Sequence, residues 1–228
     1  MLAGDRIIMI DENNNKFILD NTINKEKRRK ALHARCDEYR KRILTRDPQE
    51  IAQFSAIRIE RDENNKLFFF GEHYSESYKI SWPELKVFKQ DCLPVELDKE
   101  ALWLHYIDRA DGTPLTGRWV NLTEIGGLFY QQAFQGYAGD ELSAEWEDNT
   151  EGLKQRCIEA GGWPISYHGD LTFEWRVLPR VPLCLCYRLP RDSDQAWATI
   201  LFDASASHYI AADVAAIVGK ELVERLKP

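Results

Sequence analysis

No stretch of the 228 residues approaches the roughly 18–20 consecutive apolar residues that a membrane-spanning helix requires. The short apolar piece Ile7–Ile10 is bounded by Asp5, Arg6 and Asp11. It lacks a basic leader, a long apolar segment and a small-residue cleavage site, so it does not read as a signal peptide, and the cytoplasm is the expected compartment. Excess positive charge is missing as well. Thirty Lys and Arg face 37 Asp and Glu, a net charge of −7, the opposite of the concentrated positive surface that binding nucleic acid demands. Cysteine is scarce and scattered, with five residues at 36, 92, 157, 184 and 186. An odd number without a C-x-x-C pair excludes a disulfide framework and the usual zinc or iron–sulfur ligand spacing. G-x-S-x-G, G-x-G-x-x-G and P-loop motifs are absent too, as are internal repeats and low-complexity tracts.

What is present is an ordinary apolar mass, 44% of residues, enough for a real core. The clearest pattern lies between Trp163 and His208. In 171–178, Leu171, Phe173, Trp175 and Val177 point one way, and Thr172, Glu174 and Arg176 the other, the alternation of a half-buried strand. After the Pro179–Pro182 break, Leu183, Leu185, Tyr187 and Leu189 share one face and Cys184 and Cys186 the opposite one, which places this strand mid-sheet. A third run covers 197–202. Together they predict an antiparallel meander against which the rest packs: an α+β fold, mainly antiparallel sheet with helices, as one domain over 1–228.

Residues 1–22 read either as a loosely attached hairpin, with Ile8 and Ile10 before the turn and Phe17 and Leu19 after it, or as a frayed end. The basic stretch 24–44 predicts a helix with a stripe of Ala31, Leu32, Cys36, Tyr39, Ile43 and Leu44. Its Lys/Arg cluster at 25–30 reads as a solvated face before an RNA or acidic-partner contact. Asp47-Pro48 caps a short helix. Residues 56–61 and 66–71 flank a hairpin turn, 77–80 and 85–88 add strands around Trp82-Pro83, and 98–110 is a buried helix capped by Asp98. An aromatic helix is expected over 127–137, further helices over 140–146 and 151–160, and an amphipathic one over 212–226.

Each chemical candidate has a plain structural account beside it. Cys184 and Cys186, on one strand face, could form half a metal site or a redox pair; small apolar core residues are the preferred reading. Asp203, Ser205, Ser207 and His208 are the residue types of a hydrolase triad without a nucleophile elbow, and a strand end fits them better. His168-Gly169-Asp170 is a tight turn whose histidine and carboxylate could bind a ligand. Arg118, with Trp119, Tyr130 and Phe134, belongs to an aromatic group in which its guanidinium could hold a carboxylate or phosphate.

The segments LHYIDRADGTPLTGRWVNLTEIGGLFYQQAF (104–134), AGG with HGD (160–170), LPRVPLCLCY (178–187) and ILFDASASHYI (200–210), before a helix ending LVERL, resemble the prokaryotic family domain of unknown function 3786 over about 30–227. That family carries no established activity. The resemblance implies an anaerobic bacterial or archaeal setting, and, through relatives fused to a four-cysteine iron–sulfur module, an association with corrinoid proteins. This chain lacks that cysteine-rich module.

The leading expectation is therefore a binding or accessory protein, with a small molecule or a metallocofactor protein as partner. No cofactor or metal site is assigned. The expected ligand-binding residues are Arg118, Tyr130, His168, Asp170, Asp203 and His208, around a pocket between helix 127–137 and the strand ends. The alternatives are an acid–base enzyme using Tyr130, His168, Asp170 or Asp203, and an interaction module docking through exposed aromatics.

Overall fold

The computed structural model describes residues 8–10, 16–18, 21–128, 131–191 and 194–228. Strands β1 (Ile8–Ile10) and β2 (Lys16–Ile18) pair antiparallel, Ile8 opposite Ile18, as the hairpin reading expects; Leu19 lies outside the described residues.

Helix α1 runs Asn21–Ile43 and buries Cys36, Tyr39 and Ile43 of its predicted stripe, whereas Leu44, past the helix end, is exposed. Asp47 caps α2 (Pro48–Ser55), its Oδ1 accepting from the amides of Gln49 and Glu50. A meander follows: β3 (Arg58–Arg61), β4 (Leu67–His73), β5 (Glu76–Trp82) and β6 (Val87–Lys89), in that spatial order. The Trp82–Pro83 peptide in the β5–β6 turn is cis.

Helix α3 (Leu97–Arg109) buries Ala101 and every residue from Trp103 to Ile107, so it is the apolar strut the dense pattern predicts. Its N-cap is Glu96, without a side-chain cap bond, and not Asp98. Asp98 sits in the first turn, where its charge still meets the positive helix end.

The C-terminal sheet has the order β7–β11–β10–β9–β8. Its members are β7 (Trp119–Val120), β8 (Trp163–Pro164), β9 (Leu171–Leu178), β10 (Val181–Arg188) and β11 (Trp197–Asp203). β10 is central, as its two apolar faces require. Between β7 and β8 lie a wide helical turn (Thr123–Gly127), α4 (Gln131–Phe134), a second wide turn (Gln135–Asp140), α5 (Glu141–Trp146) and α6 (Thr150–Glu159). In place of a uniform helix over 127–137, α4 passes into the second wide turn at Gln135. Gly126, at φ +95, takes a conformation that side chains disfavour, and the helical path kinks there.

Helix α7 (Ala212–Leu226) buries Val218, Leu222 and Leu226, as its stripe predicts, but leaves Ile217 60% exposed. The two sheets meet where β4 ends. The Tyr74 amide and His73 Nδ1 both donate to the Val177 carbonyl of β9, and the Tyr74 hydroxyl donates to Val218 in α7.

Candidate functional site

The residues expected at the strand ends do not converge. Asp203 is 1% exposed and accepts from the amides of Thr116, Gly117 and Ser205 and from the hydroxyls of Thr116 and Ser205. Burial alone would raise its carboxyl; these donors hold it below the ordinary value. It is a clasp between β11 and the loop before β7. Asp170 is at the far end of the sheet, accepting from the Leu189 amide and pairing with Arg191 at 2.5 Å. The strands alternate in direction, so the turn before β9 and the end of β11 are opposite poles. His168 is exposed and stacks edge-on to Tyr167. His208 pairs with Asp111 at 2.7 Å, and Arg118 with Glu124 at 2.9 Å, all four side chains being well exposed. Tyr130 lies outside the described residues. Ser205 and Ser207 form no triad with His208: the Ser205 hydroxyl donates to Asp203, and His208 faces Asp111 and Thr113.

Two cavities stand out. One, of about 530 Å³, is lined by Asp170, Arg188, Arg191, Asp194 and Trp197. It is polar; Asp170 and Arg191 pair with each other, and Arg188 stacks on Trp197. The other, of about 490 Å³, lies between α1, α3 and α7. It has an apolar floor of Leu32, Leu102, Val214 and Ile217, with Tyr39, Lys99, His105 and Glu221 among its polar lining groups. Displaced titrations gather at this second cavity, which makes it the better candidate.

Two pairs of groups meet at it, one in its lining and one joining the lining residue Glu221 to His73, which lies outside the lining. His105 Nε2 accepts the Ala211 amide at 3.0 Å, so its proton resides on Nδ1, which donates to the Tyr39 oxygen at 2.9 Å. Burial, joined by the Arg109 charge, pushes His105 down to about 4, so the imidazole is neutral near pH 7. Because Tyr39 accepts from His105, its own hydroxyl proton is free to be donated, and no described residue takes it. The second pair is His73 and Glu221. His73 is wholly buried, with Nδ1 2.9 Å from the Val177 carbonyl and Nε2 3.0 Å from the Glu221 carboxylate. Glu221 also meets Lys99 at 3.1 Å and Arg225 at 3.1 Å. Burial raises its carboxyl, but His73 and Lys99 outweigh that and hold it at about 2.

The lining of this cavity is spread over positions 28 to 221. The sequence signal available was the stripe of α1 and an isolated histidine in a dense apolar helix, each of which reads as core.

A family model described as Domain of unknown function (DUF3786) matches residues 47–225. The chain belongs to this family. The match is shorter at the N-terminal side than the resemblance suggested: it includes α3, α7 and the whole C-terminal sheet, whereas α1, one wall of the groove, precedes it. No curated protein and no solved structure matches the chain. No described helix is long and apolar enough to cross a membrane.

Proposed function

We propose that this family member is a binding protein that seats a small amphipathic molecule, apolar in body and anionic at one end, in the groove between α1, α3 and α7. The observation that carries this reading is the Tyr39 hydroxyl, whose proton is left free by His105 in a groove that Leu32, Leu102 and Val214 also line. A carboxylate or phosphate oxygen would accept that proton. Arg35, two turns from Arg28 on the same face of α1, lies on the rim and supplies charge. About 490 Å³ falls within the range of small-molecule sites, roughly 300–1,000 Å³. The paired state of His105 and Glu221 favours recognition over the acid–base enzyme reading, as does the separation of Asp170 from Asp203.

The test is calorimetric titration of the full chain with octanoate, a carboxylate on an apolar body, and with octyl phosphate, the corresponding phosphate. Saturable binding of either, weakened tenfold or more by Tyr39→Phe and by Arg35→Glu without loss of thermal stability, is the expected result. Binding of neither probe, or binding indifferent to both substitutions, would remove the groove as the site.

One observation favours the interaction-module reading as second. Trp163, Tyr167 and Trp197 are 40%, 37% and 41% exposed. Trp163 stands opposite Glu174, and Trp197 opposite Arg188, which stacks its guanidinium on that ring. Both tryptophans therefore share the outer face of the C-terminal sheet, where a partner could dock.

A further inference from the structure

Cys184 and Cys186 project from β10 on the face away from the apolar core. Same-face positions on a strand are about 6.6–6.8 Å apart, yet the two Sγ atoms approach to 3.7 Å, so both side chains turn toward each other. Both are free thiols and both are buried, but neither joins the contiguous apolar cluster that takes up Leu183, Leu185 and Tyr187 from the same strand. Their cross-strand neighbours are largely polar: Glu174 and Leu201 beside Cys184, Thr172 and Thr199 beside Cys186. Two ordinary core thiols would sit among aliphatic groups. Burial pushes the Glu174 carboxyl up, with the Arg176 charge only partly offsetting it.

We propose that Cys184 and Cys186 form a two-thiolate site for a thiophilic d¹⁰ cation of the zinc group. Two metal–sulfur bonds of about 2.3 Å at the tetrahedral angle span about 3.8 Å, against the 3.7 Å between these sulfurs. The thiols need only lose their protons, without a change of backbone: two R–SH and M²⁺ give M(SR)₂ and two H⁺. A disulfide would require the sulfurs to close to about 2.05 Å, which strand spacing opposes. Among the described residues no group of three or more His, Cys, Asp and Glu side chains converges. Two coordination positions are therefore left for water, a small ligand or a donor from a docking partner. An open site of this kind suits a cation that is exchanged rather than one locked in to hold the fold. Tyr167, itself 37% exposed, lies near both sulfurs.

The experiment uses the full chain with its exposed thiol removed (Cys92→Ser), reduced and titrated anaerobically with Cd²⁺ alone. A thiolate-to-cadmium ultraviolet band should saturate at one equivalent per chain. It should fall tenfold or more in both Cys184→Ser and Cys186→Ser and persist in Cys36→Ser and Cys157→Ser. The absence of a saturable band, or a band unchanged in Cys184→Ser and Cys186→Ser, overturns the proposal. X-ray absorption on the cadmium-loaded Cys92→Ser chain needs no further variant and so is independent of their folding: two sulfur neighbours per cadmium support the site, and oxygen or nitrogen alone refutes it.

Discussion

Replacing Glu221 by glutamine should cost this protein about 2 kcal/mol at neutral pH and almost nothing in acid. The Glu221 carboxyl is held at about 2 against its ordinary 4.5. At about 1.36 kcal/mol per pH unit, that displacement corresponds to roughly 3 kcal/mol. The side chain is 27% exposed, so solvent screening lowers the expectation to about 2 kcal/mol. Glutamine keeps an acceptor oxygen for His73 and removes only the charge that faces His73, Lys99 and Arg225. A carboxyl with a depressed folded value stabilises fully above its unfolded value. That contribution fades as pH falls from about 4.5 toward about 2. The assay is urea unfolding followed by tryptophan fluorescence, for both proteins, at pH 7, 4 and 3. The wild-type advantage should shrink steadily with acid. Equal stability at pH 7, or a difference independent of pH, would show that the buried cluster joining β4, α3 and α7 does not hold Glu221 ionised as argued.

Three further outcomes follow from the packing. Between pH 6.5 and about 4 the wild type should lose up to about 3 kcal/mol as His105 protonates in the unfolded chain before it does in the folded one, and His105→Gln should flatten that slope in the same assay. Asp203→Ala leaves buried donors of Thr116, Gly117 and Ser205 without an acceptor, a loss of about 3 kcal/mol or more by urea unfolding; a change under 1 kcal/mol would contradict the clasp. Gly162→Ala would place a Cβ 2.5 Å from the indole of the buried Trp175, with an expected cost of about 1–3 kcal/mol, read as a lower melting temperature.

Local sequence determined the elements wherever one residue carried the signal. Asp47-Pro48 started α2, the alternation of Phe173, Trp175 and Val177 defined β9, and the doubly apolar β10 announced the centre of its sheet. It fell short at Gln135, where α4 passes into a wide turn that the aromatic spacing does not announce, and at Asp98, a residue type that caps helices but here lies two residues past the N-cap, Glu96. The relation between the strand ends was legible in principle, since a three-strand antiparallel meander must send the start of its first strand and the end of its third to opposite poles. Asp170 and Asp203 could never have shared a pocket within that sheet.

What only the tertiary structure decided is which side chains meet. Tyr39 and His105, or His73 and Glu221, are separated by 66 and 148 positions, and no periodicity links them. Each taken alone looks like a core residue or a solvated charge. The cysteines show the division most plainly. Sequence spacing places Cys184 and Cys186 on one face of a strand, because side chains alternate with a period of two. Whether that face is the core or the outer surface, and whether the sulfurs turn together, depends on which side of the sheet α7 covers, and packing decides that.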